Sequence, residues 1–241
     1  MRRGLIIVGL VALVLLGGCA NSKKIVPSKE DNCTKTDANS RSKEDEMVIH
    51  PAIYHEPNEE MVVKKPAIYL YPKVKQKVKV SLRINGKIIR SIPEYKNGWS
   101  VVAASSGIID GKYDYLFYEN SLKSKELQKN GWVKKGSEMR ELFDEILPKL
   151  GLNDKEAKQF KEYWLKEFNA SSFYEVKLLS RDFLDKNMSL NIKPKPDTLI
   201  RVIFNFKEIK EAYSLEEPKI TTPKRDGFNV LEWGGLMDRL L

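Results

Sequence analysis

Thiols, imidazoles and carboxylates are the groups with which this sequence could do chemistry, and their positions divide it in two. Both histidines, His50 and His55, and one cysteine, Cys33, fall in a polar N-terminal stretch; the other cysteine, Cys19, ends an apolar run. From residue 65 onward there is neither His nor Cys. That excludes Cys–His and Ser–His nucleophilic catalysis there, and a His/Cys zinc site as well. His50 and His55 have no third ligand at metal spacing, so no metal is expected. No glycine-rich phosphate loop, H-E-x-x-H or G-x-S-x-G occurs, and no cofactor is expected. Carboxylates remain. Asp110, Asp114, Glu119 and Glu232 are predicted near strand ends, and a glycan hydrolase needs only two such groups, one as acid and one as base or nucleophile. A Ser–Lys pair would leave no local signature.

Charge suggests binding instead. From Pro66 to Leu241 there are 32 Lys/Arg against 24 Asp/Glu, a surplus of about +8. Lys73, Lys75, Lys77, Lys79 and Arg83 alternate with apolar residues, so they form a basic stripe on one face of a predicted strand. Lys75, Lys77, Lys79 and Arg83 are the candidate binding residues. Anionic glycan, teichoic acid or phospholipid headgroups would suit them. A solvated face whose lysines discourage edge pairing is the competing reading. Tyr69, Tyr71, Trp99, Tyr113, Tyr115, Trp132 and Trp233 could stack on sugars, although strand aromatics more often form core or cross-strand pairs.

Cys19 has its own context. Arg2 and Arg3 precede a 12-residue apolar run, Leu5 to Leu16, broken only by Gly9. A bilayer span needs about 20 residues, so the run matches the apolar region of a secretory signal. Leu16-Gly17-Gly18-Cys19 resembles the lipobox of bacterial lipoproteins. The resemblance implies removal of residues 1–18, transfer of a diacylglyceryl group to the Cys19 thiol, and often acylation of its new amine with palmitate-type chains. Two or three chains at about 0.8 kcal/mol per buried CH₂ anchor stably where one does not. Ala20, where Asp would retain the protein at an inner membrane, leans towards the outer membrane of a two-membrane cell. The expected partner is therefore a membrane, with the domain outside the cytoplasm; nucleic acid is not expected. Cys33 is then left without a partner, as an incidental thiol or an intermolecular disulfide.

The elements that must position these groups follow from periodicity. Residues 19–64 read as a flexible polar tether. A short echo, PAIYHEP at 51–57 and PAIYLYP at 66–72, could place a first strand beside a second. The single domain is expected over 65–241. IYLY (68–71) reads as a strand, and residues 74–84 as the clearest one. Asn85-Gly86 suggests a hairpin returning through 87–92. Further strands are expected at 99–104, 107–109 and 113–119, with a turn at Asp110-Gly111, and a short helix at 122–129. Met139, Leu142, Phe143, Ile146, Leu147 and Leu150 mark a helical face, with Ser137 as N-cap and Gly151 at the C′ position. Asn153 and Glu156 form a capping box for a second helix carrying Phe160, Tyr163, Trp164 and Phe168. Strands return at 174–179, 189–193, 198–206 and 228–233, the last closed by a turn at Gly234-Gly235. Strands, helices, then strands predict an α+β fold, mainly antiparallel, with a central helical hairpin.

KPAIYLYP, PEYKNGWSVVA, YDYLFYE, KPDTLIRV and GFNVLEWGG are similar to motifs spread along a group of bacterial secreted or lipid-anchored proteins. The resemblance covers most of residues 65–235 and implies one continuous fold, but no activity and no catalytic residue. The expectation is a lipid-anchored cell-envelope protein with a non-catalytic binding or structural role. An envelope glycan hydrolase using two carboxylates is the alternative.

Overall fold

The computed structural model describes residues 61–240. The predicted signal at 1–18, the predicted lipidation site Cys19, Cys33, both histidines, the first PAIY copy and most of the expected tether lie outside the described residues. The described ones belong to a single compact unit of α+β architecture.

The described residues form ten strands and three α-helices, in the order β1 (Met61–Tyr71), β2 (Gln76–Ile84), β3 (Ile88–Ile92), β4 (Trp99–Ala103), β5 (Leu116–Leu122), β6 (Trp132–Lys135), α1 (Met139–Lys149), α2 (Asp154–Trp164), β7 (Phe173–Leu178), α3 (Arg181–Asn187), β8 (Met188–Lys193), β9 (Thr198–Ile209) and β10 (Asn229–Asp238). A seven-stranded sheet has the order β3-β5-β1-β10-β9-β7-β6, and a three-stranded sheet the order β4-β2-β8. All pairings are antiparallel except β9–β10.

Side-chain alternation builds three layers from these parts. On β1, Ile68 and Leu70 enter one apolar cluster, and Ala67 and Tyr69 enter the other. On β10, Val230 and Leu236 divide from Leu231 and Trp233 in the same way. The first cluster is closed by Val78 and Val80 of β2 and by Trp99 and Val101 of β4. The second is closed by Leu142, Phe143 and Ile146 of α1 and by Phe160 and Trp164 of α2. The large sheet is thus the middle layer, between the small sheet and the helical hairpin.

The helical hairpin follows its sequence signals. Asn153 Oδ1 accepts from the Glu156 amide at 3.0 Å, and Glu156 Oε2 accepts from the Asn153 amide at 2.8 Å. Gly151, at the C′ position of α1, has φ +93°. Ser137 is not a cap: it lies inside a 3-10 turn, Gly136–Glu138, where Glu138 Oε2 accepts from the Lys135 amide at 2.8 Å.

Several expectations need correction. Residues 61–64, read from the sequence as the end of the tether, belong to β1: Met61, Val62 and Val63 pair with Leu122, Ser121 and Asn120, and Val63 is fully buried. Asn85-Gly86 does not close a hairpin. β2 and β3 lie in different sheets, and the dipeptide is the crossing between them. There the Asn85 amide donates to Asn187 O at 2.8 Å, and a Cβ on Gly86 would stand 2.0 Å from Ser121 O. Close backbone approach, rather than a primed turn, requires that glycine. Gly234 and Gly235 likewise form no turn. β10 runs straight through both, and neither has positive φ. A Cβ on Gly235 would meet the Trp164 ring at 2.8 Å, and one on Gly234 would meet Pro66 Cα at 3.0 Å. Residues 122–129 form no helix; β5 runs through Leu122, and Leu127 bridges to Leu179.

The parallel β9–β10 pair requires a crossover. Residues 210–228 provide it without regular structure, passing over the helical side, where Ile220 joins the second cluster. Arg225 fastens it: Nη1 donates to Glu156 Oε2 and to Gly151 O, both at 2.8 Å, and Nη2 donates to Glu156 Oε1 at 3.0 Å. The carboxylate that caps α2 thereby also holds the crossover.

Candidate functional site

The predicted basic stripe lies on the outer face of the small sheet. Val78 and Val80 point inward and are buried, while Lys77, Lys79, Ser81 and Arg83 are exposed. Lys75 is exposed one residue before the strand; Lys73 lies in a bend, and Val74 is 69% exposed, so alternation begins only at Gln76. The flanking strands add to the face. Lys79 stands directly opposite Ser100 on β4 and opposite Lys193 on β8. Like charges directly opposite are destabilising. Among the described residues, none of Lys75, Lys77, Lys79, Arg83 and Lys193 forms an ion pair. A hollow of about 330 Å³ opens on this face, lined chiefly by Lys79, Lys193, Ser81, Ser100, Asn97 and Asn191, with no carboxylate.

The four candidate carboxylates separate. Glu232 is fully buried between the two sheets, where its Oε1 accepts from Tyr118 Oη and its Oε2 from Arg201 Nε, each at 2.6 Å. Arg201 is also buried, and Asp185 Oδ1 lies 3.5 Å from its Nη1. Burial disfavours the Arg201 charge most strongly, but Glu232 first, with Tyr118 and Asp185, together more than offset this and raise its pKa. This pair is interior scaffolding, out of reach of substrate. Asp110 is a turn residue: at φ +49° it accepts from the Val102 amide at 2.7 Å and precedes Gly111 at φ +67°.

Asp114 and Glu119 do meet, in a cleft of about 420 Å³ beside the β3–β5 edge of the large sheet. Lys155 Nζ at 2.6 Å and Gln159 Nε2 at 3.0 Å hold Asp114 and keep its carboxyl below the usual range. Tyr163, also in the cleft, is pushed up to about 12 by burial and then by the Glu167 and Glu119 charges. Lys65 enters through a β-bulge: both ladders of β1 slip before Ala67, and Lys65 has φ +59°. A non-glycine residue held there costs about 1–3 kcal/mol.

The aromatic candidates also separate. Tyr69, Trp99, Trp132 and Trp233 are buried core residues, and Arg225 lies over the Tyr71 ring, 5.2 Å from its centroid. Only Tyr113 and Tyr115 line the cleft. Sequence reading passed over Lys65, Arg90, Lys112 and Tyr163, which come from separate stretches of chain. The one local signal was Lys65 before Pro66, inside an otherwise regular strand. Among the described residues, no group of three His, Cys, Asp or Glu side chains could hold a metal ion, and no helix is long and apolar enough to cross a membrane.

No protein-family model matches the chain, nor does any curated protein or solved structure.

Proposed function

We propose that this is a lipid-anchored cell-envelope protein, held through Cys19, whose domain binds anionic envelope polymer on the outer face of its small sheet. The observation that carries the reading is the Lys79–Lys193 pair. Two lysines face each other across a ladder, beside Lys77 and Arg83, with no carboxylate to neutralise them. A polyanion would relieve that repulsion on binding. The lipobox-like Leu16-Gly17-Gly18-Cys19 supports the anchor, and the surplus of basic residues beyond 65 supports the polymer's sign.

The test is retention of the full-length protein, in mild detergent, on immobilised polyuronate and on neutral glucan. Retention is expected on the polyuronate alone, and it should weaken between 0.15 and 1 M salt as the screening length falls from about 8 to about 3 Å. The triple variant Lys77→Gln, Lys79→Gln, Arg83→Gln should lose most of it; unchanged retention would overturn the assignment of the face. The anchor is tested separately. Cys19→Ser should abolish lipid labelling and membrane fractionation, and a variant still bound at normal levels would require another anchor.

A second reading, a glycan hydrolase, draws on Asp114 and Glu119 sharing one cleft. Asp114 suits it poorly as an acid, because Lys155 and Gln159 hold it ionised. Release of soluble sugar fragments from purified envelope would favour this reading over binding.

A further inference from the structure

The cleft holds three cations, and the way they are held points to a ligand. Lys65 Nζ lies 4.7 Å from the Tyr115 ring centroid, 4.8 Å from Phe117 and 5.8 Å from Tyr163. Arg90 Cζ lies 5.6 Å from Phe117, and Lys112 Nζ lies 5.1 Å from Tyr113. Each cation therefore rests on aromatic rings, and among the described residues none of the three forms an ion pair. A ring face attracts a cation without neutralising its charge or occupying its N–H donors. Lys65 gives one donor to Tyr115 Oη at 2.8 Å and keeps two of its three. Arg90 stands opposite Glu119 in the β3–β5 register, yet the two form no ion pair.

We propose that this cleft binds one anionic sugar residue. Lys65, Arg90 and Lys112 take its carboxylate or phosphate, and Glu119 accepts from its hydroxyls. Asp114 is already neutralised by Lys155, so among the described residues that line the cleft Glu119 is the carboxylate left to oppose three cations. Ile92 and Tyr113 offer apolar surface to the sugar's C–H face. The volume falls at the small end of the roughly 300–1,000 Å³ typical of ligand pockets. The backbone strain at Lys65 is placed where it turns an ammonium into this cleft. The site belongs to the large sheet's edge and does not depend on the reading of the small sheet's outer face.

Calorimetric titration of the full-length protein with glucuronate, inorganic phosphate, acetate and glucose tests this. Glucuronate should bind, glucose should not, and acetate and phosphate should bind more weakly than glucuronate. Phosphate binding more tightly than acetate would mark the natural anion as phosphate, the reverse order as carboxylate, and either order supports the site. Lys65→Met, which keeps the ring contacts, and Arg90→Gln should each weaken glucuronate roughly tenfold with melting temperature unchanged. The triple variant Lys77→Gln, Lys79→Gln, Arg83→Gln should bind glucuronate normally, which separates this site from the sheet face. The proposal fails if no probe binds at millimolar concentration. It also fails if acetate equals glucuronate, or if both cleft variants bind as the unaltered protein does.

Discussion

Arg201 and Lys79 are cations on the two sheets of one sandwich, and they are treated in opposite ways. Arg201 points into the space between the sheets, is fully buried, and is met by Glu232 with Tyr118 alongside. Lys79 points outward, faces Lys193 and forms no ion pair among the described residues. A buried charge left unpaired costs about 3–5 kcal/mol, so interior cations report on the fold. An exposed cation is free of that demand, and repulsion left standing on a surface is room for a ligand. The cleft cations lie between these cases, set on rings that hold them in place and leave their charge unspent.

The contrast can be tested by removing charges in order of cost. Arg201→Met leaves Glu232 buried and unpaired, and should lose about 3–5 kcal/mol in urea unfolding. Adding Glu232→Leu should recover most of that; a single variant of near-normal stability would erase the distinction. Glu156→Gln keeps an N-cap partner but removes the charge that receives Arg225, so a loss of about 1.5–3 kcal/mol is expected. Limited proteolysis should then cut within 210–228 first. The triple change at Lys77, Lys79 and Arg83 should leave stability within about 0.5 kcal/mol, since these side chains hold nothing. A large loss would make the stripe structural. The smallest effect is at Asp114, whose folded pKa lies below its unfolded one. Its contribution is complete above the unfolded value of about 3.9 and fades as pH falls through the depressed folded one. Asp114→Asn should therefore flatten the acid limb of the stability–pH curve: it lowers the plateau above about pH 5 by the small amount Asp114 contributes there, and leaves stability below the folded pKa nearly unchanged.

Local chemistry was legible in the sequence; partnership across the chain was not. Val78 and Val80 alternating with lysines gave β2 and its outward face, because a two-residue period needs no knowledge of neighbours. The Asn153–Glu156 box and Gly151 gave the helical hairpin for the same reason. Asn85-Gly86 misled, because tight turn and close crossing both select glycine, and only Ser121 and Asn187 distinguish them. Gly234 and Gly235 misled similarly: the causes are Pro66 of β1, against Gly234, and Trp164 of α2, against Gly235, both far away in sequence. Glu232 counted among the candidate carboxylates near strand ends until Arg201 arrived from the neighbouring strand. The cleft was least legible, since Lys65, Arg90, Lys112, Glu119 and Tyr163 share no spacing rule and meet only once β1, β3, β5 and α2 are assembled.

The early start of β1 has a mechanical consequence. β1 is clamped between β5 and β10, both antiparallel to it. Tension from an N-terminal anchor would run along the strand axis and load these ladders in shear, so that rungs share the force rather than open one at a time. The bulge at Lys65 divides the ladder into an outer grip, Met61–Lys64, and an inner one, Ala67–Tyr71. A pull on Met61 would load the outer grip, with the buried Val63 in it, before it reached Lys65 and the inner grip.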